Sequence, residues 1–152
     1  MKTLIVRLIG LAAFLGAFAA PAVKSLESAP AGGIYFGWTC ALVAISTSAG
    51  IPHLFTSGAW RDKDVIGAIC LVLSGWVNPL VLIYLVCSAW KSLVRTRRVL
   101  ACAILACIGA TWAFLAKAQM TPLVGHFLWI GGILSMLSPE VFALFRKASA
   151  TE

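Results

Sequence analysis

One side chain in this sequence placed where polarity is costly is a carboxamide in the middle of an apolar run. Asn78 is the only asparagine in the chain, and Pro79 follows it inside GWVNPLVLIYL. At the centre of a bilayer such a group must find a partner, because an unpaired amide in hydrocarbon is strongly disfavoured. Pro79 has no backbone N–H, so in a helix it frees the carbonyl of Gly75, four residues earlier. Ser74, Gly75, Asn78 and Pro79 therefore predict a bent or interrupted helix with exposed backbone polarity. Broken helices near the midplane hold substrate or ions in transporters. The same residues also fit a packing role, in which Asn78 bonds the freed carbonyl or a neighbouring helix.

His53 and His126 each lie just inside the end of an apolar run. Two histidines from different helices could clamp a haem iron, or serve a quinone or a proton path. Their spacing matches no metal motif, and an interfacial histidine reaching water is the plainer reading. Glu140 could belong to an intramembrane proton relay. Its place after Ser138 and Pro139 instead suggests the first turn of a new helix. The sequence contains no H-E-x-x-H, no G-x-S-x-G and no Gly-rich phosphate loop, so no enzymatic activity and no cofactor is expected. Five cysteines lie scattered through apolar runs without a C-x-x-C, which argues against a disulfide framework.

The elements that must position these residues are transmembrane helices. The chain is 61% hydrophobic and 11% charged over 152 residues, with a mean hydropathy of +0.98. A soluble domain carries about 25% charged residues, so too little polar surface is present to cover a globule in water. Apolar runs fall at about residues 3–22, 33–54, 65–90, 99–116 and 122–137. Each approaches the ~20 residues a helix needs to cross a bilayer, and nothing alternates like a barrel strand. The expected fold is an all-α, polytopic bundle of four or five transmembrane helices in a single membrane domain, residues 1–152. Residues 1–20 also carry the marks of a secretory signal peptide: Lys2 and Arg7, an apolar stretch, then Ala17-Phe18-Ala19. Residues 138–149 are expected to form either a short interfacial helix or a continuation of the fifth segment through a proline kink. The row Cys102, Ala106, Ala110 and the pair Gly131-Gly132 offer surfaces for close helix packing.

The net charge of +7 does not point to nucleic acid, because the basic residues lie in short stretches between apolar runs. Lys91, Arg95, Arg97 and Arg98 form a loop with no acid, suited to anionic lipid headgroups and to the cytoplasmic face. That loop and Arg146-Lys147 place the C-terminus inside. Five crossings would then put the N-terminus outside, against the sense of Lys2 and Arg7. His53, Trp60, Asp62, Asp64, Lys117 and His126 are expected to share the other face.

The function expected is that of a small inner-membrane accessory or interaction protein, partnered by lipid, by a membrane protein or by its own copies. The alternatives are a transporter or channel protomer built on the Asn78-Pro79 break, and a haem- or quinone-binding subunit using His53 and His126.

Overall fold

A computed structural model describes residues 2–25, 33–49 and 65–149 of the chain. His53, Trp60, Asp62 and Asp64 lie outside the described residues. The described chain is mostly helical. Helix α1 spans Lys2–Ala19, α2 spans Gly37–Ala49, α3 spans Val65–Ser88, α4 spans Val94–Lys117 and α5 spans Val124–Ser149. Three stretches are long and apolar enough to cross a membrane: Ile69–Ser88, Val94–Lys117 and Val124–Ala143. A fourth, Leu4–Ala19, is apolar but shorter.

Not every segment is helical. Strands β1 (Pro21–Ser25), β2 (Ile34–Phe36) and β3 (Met120–Pro122) form an antiparallel sheet in the order β2-β1-β3. Val23 pairs with Tyr35 on one side and Pro122 on the other. The sheet takes in the end of the first apolar run, the start of the second and the residues that lead into the fifth. It ties together chain segments that a pattern of apolar runs leaves unconnected. Gly37 N–H donates to the Ala20 carbonyl at 3.1 Å and Leu123 N–H to the Ala22 carbonyl at 2.8 Å, so α2 and α5 both start from β1. Gln119 takes a left-handed φ of 50°, which lets the chain leave α4 and enter β3 within two residues.

Ser138-Pro139-Glu140 does not start a helix. Helix α5 continues through Pro139 to Ser149. The carbonyl that Pro139 leaves without its N–H partner is that of Ser135, and Ser138 Oγ donates to it at 2.8 Å. The serine thus repairs the gap made by the proline. Helix α3 likewise remains helical through Pro79, so of the bent or interrupted helix expected there the interruption is absent.

The close-packed seam runs between α1 and α5. A Cβ on Gly10 would lie 2.7 Å from the Gly132 carbonyl oxygen, and one on Gly132 would lie 2.6 Å from the Phe14 nitrogen. Gly131, one residue away, faces open space. On α4 the packed face is Ala101, Ile104, Cys107 and Ile108. Cys102 and Ala106 are exposed, so the expected small-residue row turns outward instead of into the bundle. The core centres on Val77, Val81, Tyr84, Ile104, Ile133, Met136 and Leu137. Large apolar side chains such as Ile9, Ile66, Leu82, Val99 and Phe142 point outward, as lipid contact requires.

Replacing Gly132 by Ala should lower stability by about 1–3 kcal/mol, because backbone must move to admit the methyl group. Gly131→Ala should leave it unchanged or raise it by up to about 1 kcal/mol through helix propensity. Thermal unfolding of both variants in one detergent checks the pair.

Candidate functional site

Two polar sites occupy opposite ends of the bundle. The first is a buried charge cluster built from four helices. Arg7 on α1 donates from Nη2 to both carboxylate oxygens of Glu140 on α5, at 3.2 and 3.3 Å. Arg97 on α4 places its Nε 3.3 Å from Glu140 Oε1. Tyr84 on α3 donates its hydroxyl proton to Glu140 Oε2, and accepts from Arg7 Nη2 at 3.3 Å. The Tyr84 oxygen also lies 3.1 Å from the Met136 carbonyl, one turn before Glu140. Glu140 is 5% exposed and Tyr84 fully buried, so the carboxylate is satisfied by protein alone.

This geometry reassigns three residues. Glu140 is not a helix-start acid but the shared acceptor of the cluster. Arg97 is turned against Glu140 and the Ser88 carbonyl, not toward lipid headgroups. Arg7, partly buried, reaches from α1 across to this carboxylate. Of the expected lipid-facing group, Arg95 is exposed and Arg98 partly so, while the Lys91 side chain lies outside the described set. One signal in the sequence could have found the cluster: Arg7 and Glu140 are opposite charges embedded in two apolar segments, and such charges pair with each other.

Because Arg7 lies near the start of α1 and Glu140 in the second half of α5, those two ends share one end of the bundle.

The second site is a cavity of about 340 Å³ beside the sheet. Val23 and Tyr35 of the sheet and residues from all five helices line it, and among the described residues no Asp, Glu, Lys or Arg does. Asn78, Ser74 and His126 all reach it, so the structure brings these sequence candidates together. Asn78 is not unpaired: its Oδ1 accepts from Trp129 Nε1 at 2.9 Å, joining α3 to α5. Trp129, which the sequence does not single out, is thus the missed member. Its ring also lies 5.6 Å from the His126 imidazole, and Trp112 meets that imidazole edge-on at 5.2 Å. His126 is 5% exposed and its Nε2 is buried with no hydrogen-bond partner. Ser74 and Thr111 donate their hydroxyl protons to carbonyls of their own helices, leaving oxygen lone pairs.

Among the described residues no three of His, Cys, Asp and Glu come together as a metal site. No family model, curated protein or solved structure matches the chain.

Removing the carboxylate in Glu140→Ala should cost about 3–5 kcal/mol, since two guanidinium groups lose their counter-charge. Replacing Arg7, Arg97 and Glu140 together by Leu should recover most of that loss. Unfolding midpoints of the two variants and the wild type measure both effects.

Proposed function

We propose that the chain is a non-enzymatic membrane accessory protein that crosses the bilayer four times and binds a lipophilic small molecule in the cavity beside its sheet. The crossings are α1, α3, α4 and α5. Helix α1 contributes only about 24 Å of apolar length over Leu4–Ala19, and the sheet at its end extends the protein toward the interface. Helix α2, 13 residues long, is too short to cross and serves as a wall of the cavity.

Charge supports one orientation. Lys2 and Arg7 begin α1, Lys91, Arg95, Arg97 and Arg98 join α3 to α4, and Arg146 and Lys147 lie in the last turns of α5. All are at the Glu140 end. Among the described residues, Lys24 and Lys117 lie at the sheet end. The positive-inside rule then puts the Glu140 end in the cytoplasm and both termini with it, in a bacterial inner membrane. The conflict between Lys2, Arg7 and the C-terminal charges disappears with the fifth crossing.

The observation that carries the binding reading is the cavity itself. Its volume lies within the ~300–1,000 Å³ of small-molecule sites, and an apolar wall with a few convergent polar groups is their usual chemistry. The transporter alternative loses its main support, because α3 is unbroken and Asn78 is bonded to Trp129. Haem is disfavoured by the setting of His126, whose ring is wedged between two indoles.

Native mass spectrometry of the full chain in mild detergent tests this reading. The expected result is one lipophilic molecule retained per chain by the wild type and lost in Ala41→Leu, which fills the cavity. Equal retention by the two proteins would contradict it.

A further inference from the structure

The cavity's polar groups narrow the class of ligand. An indole N–H can only donate, so Trp129 fixes which end of the Asn78 amide faces it: the oxygen. The amide NH₂ group must then point the other way. Among the described residues it has no hydrogen-bond partner, and Asn78 lines the cavity. His126, on the same wall through Trp129, also carries an unpartnered buried nitrogen. Buried polar groups in native proteins are nearly always satisfied, so the buried, unpartnered Nε2 of His126, beside a partly buried Asn78 amide whose donors face the same space, points to a missing partner.

What that partner offers follows from the inventory. Asn78 presents donors. The hydroxyls of Ser74 and Thr111 have already committed their protons to helix carbonyls. Among the described residues no charged side chain lines the space, which disfavours a carboxylate, a phosphate or an amine. The best match is a neutral molecule, mostly hydrocarbon, with a carbonyl oxygen that accepts from Asn78. A flat ring bearing that carbonyl would also suit the aromatic wall of Trp129, Phe114 and Tyr35.

We infer that the cavity binds a neutral ring carbonyl of the membrane-quinone type, held by a hydrogen bond from the Asn78 amide that Trp129 orients. This rests on the small-molecule reading of the cavity given above. The site is one for binding, and no electron or proton transfer is assigned to it.

The test uses the full chain in lipid nanodiscs, with empty discs subtracted. The probes are a benzoquinone bearing one isoprenoid unit and the alkylbenzene of matching carbon skeleton. Both should bind saturably at one per chain, the quinone about tenfold more tightly, the worth of one good hydrogen bond in an apolar site. Asn78→Leu should abolish that tenfold preference while alkylbenzene still binds, and Ala41→Leu should weaken both probes. Equal affinity of the wild type for the two probes would overturn the carbonyl assignment and leave the cavity reading intact. Saturable binding of neither probe would overturn both. The wild-type comparison decides the matter even where Asn78→Leu does not fold.

Discussion

Four of the helices in this fold are gathered at one end around one carboxylate. Glu140 draws a guanidinium from α1, another from α4 and a phenol from α3 onto the second half of α5. Charges at such depth are tolerated only when paired with one another, and an isolated member would be strongly disfavoured. The cluster therefore sets register: Arg7 can reach Glu140 only if α1 and α5 run antiparallel with their seam closed. The glycines at positions 10 and 132 close it, because neither position has room for a side chain at the contact. Electrostatics chooses the partner helix, and the absence of two Cβ atoms lets the helices approach.

The other end is built on different physics. Backbone pairing, not charge, joins its segments, and β1 is the hub from which α2 and α5 depart. Short strands in a membrane protein belong where their free edges meet interface or protein, not lipid tails. Beneath the sheet the helices do not fill the space between them, and aromatic rings with a few polar atoms surround what remains. The bundle thus has one end held by paired charges and one that encloses a cavity.

The sequence reads well where a single chain segment carries the signal. The spans of α3, α4 and α5 follow directly from apolar length, and the polarity of Asn78 marks a position that the structure uses. It reads poorly where two distant segments must be combined. Arg7 and Glu140 each have a sound local explanation, as a basic leader residue and as a helix-start acid, and neither explanation foretells that they meet across the bundle. The strands escape notice because Pro21–Ser25 and Met120–Pro122 are too short to alternate, and their pairing spans nearly a hundred residues. Ser138-Pro139 shows a third kind of failure. The residues that cap a helix are also those that mend one around a proline, and the sequence alone cannot choose between the two.

The relative placement of the two termini tests the central claim most directly. Tags at each end of the full chain, probed by protease in oriented membrane vesicles, report the two sides separately. The account predicts that both tags are cut in the same vesicle orientation, the inverted one that exposes the cytoplasmic face. Cleavage of the two tags in opposite orientations would put α1 and α5 out of reach of the Arg7–Glu140 contact and contradict the fold at its anchor.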